Sequence, residues 1–419
     1  MTSPLDSAFH TLPPSAAESF VLLGACPLEW FDPHTAAVIL NIEPDEAREH
    51  CAVLVSARLL EQHEPGYTFN DTQSAHAIAL TYERIGEPGL LAGIDRLTDH
   101  FLFAATTVEK ALTPSHATLP RYYCTTGPRA APFSMTEPAM LEWLAWQLPN
   151  YMALLRRAHM DGRNSLAWQL ADALWPLWLR RRHVEQRYEA QLFGLAAARA
   201  DQHAEAEGRM LTGLAGTVMS TGRFWEAEAY NRCAEALYIR IGNPLGLAQA
   251  LNGRGKRLLQ ADALDEAESL FRQAMALRTA HGYRRGAALS RQGLGRVELA
   301  RGNARAAREH LIAAYDALMQ EGDVYDAALT RAWCAQASAA DASWAQATSD
   351  LNQAQAAIDA VCSPYAQATV LELTGVVHQN FDEISAARDC YTQALQLFTG
   401  LDEAGRARTA ARLDTLASA

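Results

Sequence analysis

The chain has 419 residues, of which 49% are hydrophobic and 20% are charged, and its net charge is −12. This length corresponds to two or three domains, each with a core of its own. Residues 1–112 hold five Lys or Arg against sixteen Asp or Glu, which argues against nucleic-acid binding there, because such binding depends on neutralising phosphates.

Targeting signals and membrane segments are absent from the sequence. No apolar run approaches the roughly 18 residues that a membrane span needs, and residues 1–12 lack the basic segment of a secretory signal. The seven cysteines are scattered singly, without a CxxC pair, which is typical of a reduced cytosolic protein. We therefore expect a cytoplasmic protein without a membrane segment.

Residues 1–86 have the pattern of a winged-helix-like module. Three helices are predicted after proline-led starts, from Ser15, over 34–41 and from Pro44 to about Leu60. Two short strands, at 59–61 and 67–69, flank a Pro65-Gly66 turn. The third helix, which would enter a DNA groove, carries Glu46 and Glu49 beside Arg48. A packing role for this helix is favoured over base reading.

Residues 87–165 are predicted to be a helical connector. Apolar residues recur at helical spacing from Leu90 to Leu112, and a proline- and threonine-rich linker follows at 113–138. Five tryptophans predict a packed core where the connector meets the first repeat: Trp143, Trp146, Trp168, Trp175 and Trp178. The basic run 180–183 is interpreted as a solvated turn, with an acidic or phosphate-bearing partner as the alternative.

Residues 166–402 contain a pattern that returns every forty residues. Small residues begin each unit at Ala215, Gly255, Gly295, Ala335 and Gly375, and alanine follows twelve and nineteen residues later in every unit. Small residues at matching points let helices approach closely, so each unit is predicted to be a helix–turn–helix hairpin. The fold class is therefore mainly α, a right-handed α-solenoid with a capping helix at 403–419. The spacing resembles the tetratricopeptide repeat in a forty-residue form.

Several stretches resemble the winged-helix and tetratricopeptide-repeat region of STAND (NB-ARC) bacterial regulators of secondary metabolism. They are the run from Ala8 to Tyr82 with LVSARLLEQHEPGYTFND, Trp143 with Asn150, and AWQLADALWPLW from Ala167. The resemblance implies a His-Asp pair after the wing, but Asn70-Asp71 stands there. The chain begins at Met1 with the module and contains no GxxxxGK[ST] phosphate loop. We expect the sensor arm of such a regulator without its nucleotide-binding domain.

The concave wall of the repeats is the candidate binding site. In tetratricopeptide arrays the first helix of each pair lines a groove, which here places one polar set on a single wall: Thr212, Gln249, Asn252, Lys256, Gln292, Arg296, Gln336 and Glu372. Amides and cations suit an extended peptide, whose backbone needs hydrogen-bond partners and whose carboxylate needs a cation. Asn252, Lys256 and Arg296 are the expected principal contacts.

Three functions are compatible with this pattern. The first is a non-enzymatic regulatory or scaffold protein that binds a peptide or protein in the groove. The second is a DNA-binding transcriptional regulator with a peptide-sensing repeat domain, and the third is an enzyme with an unrecognised site framed by the solenoid. No metal-ligand spacing or nucleophile motif is present, so no cofactor, metal or catalytic residue is predicted. Homodimerisation through the acidic module or the capping helix is compatible with the sequence.

Overall fold

The computed structural model describes residues 4–64, 66–126 and 129–418. Within these ranges the chain forms 22 helices and one two-stranded hairpin. It is therefore mainly α-helical, as the sequence predicts.

The N-terminal module consists of short helices and the hairpin. Its elements are Pro4–Phe9 (α1), Pro14–Ala25 (α2), Pro33–Leu40 (α3), Pro44–Ser56 (α4), Glu61–His63 (β1), Gly66–Thr68 (β2) and Asp71–Arg84 (α5). Prolines occupy the first turns of α2, α3 and α4, where a missing backbone N–H costs nothing. Phe20, Ile39 and Leu54 are fully buried in the core of the module.

Two boundaries in this module differ from the sequence prediction. Helix α4 ends at Ser56 rather than at Leu60, because Arg58 adopts a left-handed backbone conformation with φ of 61°. Leu59 and Leu60 are consequently buried in the core, and the first strand starts only at Glu61. The strands pair antiparallel, and Pro65 of the predicted turn lies outside the described residues.

The connector holds the module through specific contacts. It comprises Gly86–Leu112 (α6), Glu137–Trp146 (α7) and Leu148–Met160 (α8). The Arg96 Nε donates to the carbonyls at the end of α3, 3.0 Å from Ile39 O. Asn150 accepts from the Glu29 N–H at 2.9 Å and donates to Trp30 O at 2.9 Å. The Trp30 ring lies 3.7 Å from that of Trp146. Module and connector are therefore held together by contact between two tryptophan rings and by a buried amide.

In its described residues 113–126 and 129–136 the predicted linker has no helix, but it is packed against the rest of the chain. The Ser115 hydroxyl donates to Glu321 O in the array at 2.6 Å. Arg121 donates to Glu109 of α6 and to Asp172, both at 2.8 Å. We call residues 113–126 the strap, since they connect α6 to the repeat array.

Arg121 of the strap belongs to a buried charge network. Arg121, Glu109 and Asp172 have side-chain exposures of 6%, 1% and 5%, and Arg209 donates to Asp172 at 3.0 Å. Two guanidinium groups thus neutralise two carboxylates away from water. Buried ion pairs of this kind need complete partnering, because an unpaired buried charge is strongly destabilising.

Titration of Glu109 should make this junction sensitive to pH. Burial raises the pKa of Glu109 to about 7 against the lowering effect of Arg121 and Arg209. Because that pKa lies above the unfolded value, the stability linked to the proton is present at low pH and lost as the pH rises through 7. We expect the unfolding free energy of the wild type, minus that of E109Q, to fall by roughly 1–3 kcal/mol between about pH 5 and 8. Urea titrations at several pH values measure this difference, and a constant difference would mean that Glu109 is ionised throughout.

The repeat array follows the predicted period. Its helices are Asn164–Ala173 (α9), Trp175–Arg181 (α10), Val184–Ala200 (α11), Ala204–Ser220 (α12), Phe224–Arg240 (α13), Pro244–Gln260 (α14), Leu264–Ala280 (α15), Arg284–Ala300 (α16), Ala304–Gln320 (α17), Val324–Ala340 (α18), Trp344–Asp359 (α19), Pro364–Asn380 (α20), Ile384–Phe398 (α21) and Glu403–Ser418 (α22). The ten repeated alanines are at most 1% exposed. They are the positions at which paired helices approach closely.

The start of the array departs from this regularity. The helix that begins at Asn164 is interrupted at Leu174, because Pro176 lacks the N–H that would continue the helical ladder. Helix α9 pairs with α11, whereas α10 turns away and contacts α7 and α20. Trp168 and Trp178 are buried on either side of the break, as expected of a packed core.

Candidate ligand-binding lumen

The first helices of successive pairs form the inner layer of the array. Helices α12, α14, α16, α18 and α20 contact one another in sequence, and α22 returns to contact α12. The array therefore closes on itself. We call the enclosed space the lumen; its wall consists of these helices, α22 and the inner segment 175–183.

The basic run lies within the inner segment and is packed against the array. The Arg180 guanidinium is 4.2 Å from the Tyr325 ring centre, and that of Arg182 is 3.4 Å from the Tyr365 ring centre. Arg180 is only 4% exposed. The interpretation as a solvated turn is therefore wrong, because cation–π stacking on the first turns of α18 and α20 draws the run inward.

The backbone of the inner segment is strained where it enters the lumen. Arg182 and His183 are consecutive non-glycine residues with positive φ, 69° and 43°. Each such residue costs of the order of 1–3 kcal/mol unless its surroundings enforce the conformation. Here the stacking of Arg180 and Arg182 enforces it.

Four of the predicted site residues are engaged within the protein. The Thr212 hydroxyl donates to Gly208 O at 3.2 Å, and Asn252 accepts from the Ser290 hydroxyl at 3.2 Å. These residues serve the packing of the inner helices. The other two are engaged by neighbouring helices: Gln292 Nε2 donates to Thr330 Oγ1 at 2.7 Å, and Glu372 accepts from Arg408 Nε at 2.7 Å.

The remaining four present polar groups toward the lumen. Gln249 is exposed, although its Oε1 accepts from Arg278 at 2.6 Å. Lys256 is exposed, and Arg296 is half-buried with its guanidinium 4.4 Å from the Trp333 ring centre. The Gln336 Oε1 is buried without a hydrogen-bond partner among the described residues. Lys256, Arg296 and Gln336 lie on consecutive inner helices.

Two arginines that reach the lumen wall from other helices were missed by the sequence analysis, Arg187 of α11 and Arg278 of α15, and Arg182 was named only as part of the basic run. Arg278 belongs to the outer helix α15 but reaches the inner layer, where it donates to Gly286 O at 2.9 Å and to Ser290 Oγ at 2.8 Å. Its position close to the end of an outer helix falls outside the periodic slots that the repeat pattern assigns to the groove. No sequence signal would have found it.

Positive charge accumulates in the lumen. Loss of hydration, together with the guanidinium groups of Arg296, Arg278 and Arg182, lowers the pKa of Lys256 to about 8 against the raising effect of Asp326. Burial likewise lowers the pKa of Arg278 to about 10. The Lys256 ammonium is exposed to solvent, yet its pKa is lowered by loss of hydration. It therefore lies within a concave surface rather than on an open one.

A small void lies where the strap meets the array. Its volume is about 170 Å³, and its lining includes Ser115, Arg180, Arg285 and Tyr325. Pockets that bind ligands are about 300–1,000 Å³ in volume, so this void is too small for a peptide. In residues 4–64, 66–126 and 129–418 no cluster of three metal-ligating side chains is found, and no helix in these ranges is long and apolar enough to cross a membrane.

The fold is a tetratricopeptide-like α-solenoid, and the inner segment 175–183 contributes to the wall of its lumen. No family model matches the chain. Over 314 residues it is 30% identical to the regulatory protein AfsR of Streptomyces griseus, covering 74% of this chain and 32% of that protein. The regulatory protein AfsR of Streptomyces coelicolor is 29% identical over 309 residues, with coverages of 70% and 30%. The chain thus spans about a third of the length of the curated relatives that it matches.

One solved structure resembles the chain over nearly its whole length. This is a Rap protein complexed with competence and sporulation factor, with a TM-score of 0.51, 10% identity, and coverage of 92% of this chain and 96% of that one. The mainly α repeat fold is confirmed, and so is similarity to a repeat-containing regulatory protein. The winged-helix assignment and the lack of a nucleotide-binding domain stay predictions.

Proposed function

We propose that the chain is a non-enzymatic regulatory protein that binds a peptide, or an extended segment of a protein partner, in its lumen. The observation that carries this proposal is the row formed by Lys256, Arg296 and Gln336. They lie on three consecutive inner helices with polar groups left over for a ligand. Similarity to regulatory proteins and to the fold of a Rap protein complexed with competence and sporulation factor supports it.

The N-terminal module is assigned the role of an adaptor, winged-helix-like in its order of helices and hairpin. The exposed side of α4, which would face DNA, carries Glu43, Asp45, Glu46 and Glu49 against Arg48. This surface would repel phosphates. Asn150 and the contact between the Trp30 and Trp146 rings hold the module to the connector. These contacts favour the adaptor role over the alternative of a DNA-binding regulator.

A peptide-capture experiment tests the groove assignment. The full chain is immobilised and exposed to a pool of random dodecapeptides, and the retained peptides are quantified by mass spectrometry. We expect the K256A/R296A variant to retain less by about tenfold or more, because each charged hydrogen bond contributes roughly 1.5–3 kcal/mol.

The matched control is R240A/R305A, which removes two cations from the outer surface; Arg240 is exposed and Arg305 has 91% side-chain exposure. This control should retain the same peptides as the wild type. Equal retention by K256A/R296A and the wild type would show that peptides do not bind in the lumen.

A further inference from the structure

The lumen carries more positive charge than its own carboxylates neutralise. Arg285 pairs with both Asp323 and Asp326 at 2.6 Å, and Glu372 pairs with Arg408 at 2.6 Å and with Arg412 at 3.4 Å. These carboxylates are therefore matched, and the buried Asp402 near Arg182 offsets at most one further cation. The surplus cations lie in the lumen wall or reach it from α11 and α15, outside these pairs.

Five cations make up this surplus: Arg182, Arg187, Lys256, Arg278 and Arg296. Within the described part of the chain, none of them is among the ion pairs, and their contacts are to aromatic rings, carbonyls, an amide and a hydroxyl. Their charges also act on one another: Arg182, Arg278 and Arg296 lower the pKa of Lys256, and Arg182 lowers that of Arg187. Geometry agrees, because Arg278 bonds to Gln249 and Ser290 on the two helices that carry Lys256 and Arg296. Arg182 belongs to the inner segment, and the Arg187 guanidinium lies 5.9 Å from the Trp175 ring centre of that segment.

Unsatisfied donors accompany the surplus charge. Arg278 is 1% exposed and Arg187 is 6% exposed, yet the Nε of each has no hydrogen-bond partner in the ranges that the structure describes. The Nε atoms of Arg182 and Arg296 are also buried without a partner among these residues. Buried charges in proteins are normally paired, because removing one from water uncompensated is costly.

An acidic peptide and a small anion could each neutralise this positive charge. Lys256 and Arg296 lie on neighbouring inner helices, and Gln249 and Gln336 extend the polar wall beyond them with amide groups. Amides match a peptide backbone, which needs both donors and acceptors. A compact anion would use only the cations and leave the amides idle. The arrangement favours an extended ligand with more than one carboxylate.

We propose that the lumen selects acidic peptide segments, whose Asp or Glu carboxylates pair with Lys256 and Arg296 while Arg182, Arg187 and Arg278 supply the surrounding positive field. This inference rests on the proposed function and narrows its partner to one chemical class. The chain as a whole has a net charge of −12, so a preference for an acidic ligand must originate locally in the lumen.

The test compares fluorescein-labelled octapeptides of alternating Gly-Glu, Gly-Gln and Gly-Lys by anisotropy on the full chain at physiological salt. We expect the Gly-Glu peptide to bind at least about tenfold more tightly than Gly-Gln, and K256Q/R296Q to abolish that preference. The control R240Q/R305Q should keep it. K256E/R296E should invert the preference toward Gly-Lys, and thermal melting checks that the variants are folded.

The outcomes separate the two proposals. Groove-dependent binding of Gly-Glu and Gly-Gln with equal affinity would overturn the acidic selection while leaving peptide binding intact. If inorganic pyrophosphate displaces the Gly-Glu peptide and binds more tightly than the peptide does, the site is assigned to a small anion and the peptide class is overturned. Absence of measurable Gly-Glu binding up to millimolar concentration would overturn the acidic selection. The random-pool capture would then decide the proposed function by itself.

Discussion

Replacement of Arg121 by methionine is expected to lower the free energy of unfolding by about 3–5 kcal/mol. The guanidinium of Arg121 donates to both Glu109 and Asp172 at 2.8 Å, and all three side chains are at most 6% exposed. Methionine has nearly the same length but no donor, so Glu109 loses its direct partner in a buried site. Asp172 keeps Arg209 at 3.0 Å.

The cost of R121M should itself depend on pH. Burial already raises the pKa of Glu109 to about 7, and removing a cation can only raise it further. Below that pH the carboxyl is protonated and loses little by the substitution. Above it the cost approaches the full penalty of an unpaired buried charge. Urea denaturation followed by tryptophan fluorescence should therefore give a larger effect at pH 8 than at pH 6.

Arg305→Met is the matched control for R121M. Arg305 has 91% side-chain exposure and lies 3.6 Å from Glu309 on the surface of α17, where an ion pair contributes roughly 0–1 kcal/mol. Its replacement should leave the unfolding midpoint nearly unchanged. If R121M were as mild as R305M, the strap would not be needed to fix α6 to α9 of the array, and the connector would be an independent unit.

The repeat architecture could be predicted because its cause is local and periodic. Ala267 and Ala274 recur at fixed intervals, and their burial at 0% follows from helix pairing alone. The candidate site stays a prediction, and the repeat pattern anticipates only part of the lumen wall. One periodic slot places Lys256 and Arg296 on the wall, whereas Asn252 and Gln292 share another such slot but bond to Ser290 and Thr330. A repeat pattern identifies the wall, not which of its groups are already engaged.

The inner segment could not be predicted for a different reason. Pro176 indicates a break in the helix, but the path after the break depends on residues more than a hundred positions away. Arg180 and Arg182 stack on Tyr325 and Tyr365. Those contacts exist only because the array closes and brings α18 and α20 to face α10. Closure is a sum of small rotations between pairs, which no single sequence motif encodes.

The substitution of Phe271 by alanine should give the other large loss of stability, about 3–5 kcal/mol. The Phe271 ring is fully buried between two helices of neighbouring pairs. A Cβ added at Gly293 would lie 2.6 Å from ring carbons of Phe271, and one added at Gly255 would lie 2.9 Å from them. The ring thus fills space that glycine leaves open on both α14 and α16, so truncation leaves a cavity that rigid helices cannot close.

Gly293→Ala is the complementary change, since it adds the methyl group for which the ring leaves no room. Overpacking should cost about 1–3 kcal/mol, against a gain of roughly 0.5–1 kcal/mol from replacing glycine within a helix. Gly216→Ala isolates that gain, because Gly216 is exposed on α12 and its nearest neighbour would be 3.5 Å away. G216A should be neutral or slightly stabilising.

The F271A/G293A double variant tests whether the Phe271 ring and the space at Gly293 are energetically coupled. In the double variant the added methyl group enters space vacated by the ring, so the combined loss should fall short of the sum of the single losses by about 0.5–3 kcal/mol. Urea titrations of the four proteins of the cycle measure that coupling. Additive losses would mean that α16 shifts away from the ring independently. The forty-residue repeat would then depend on the alanine contacts alone, without a contribution from the aromatic ring packed between glycines.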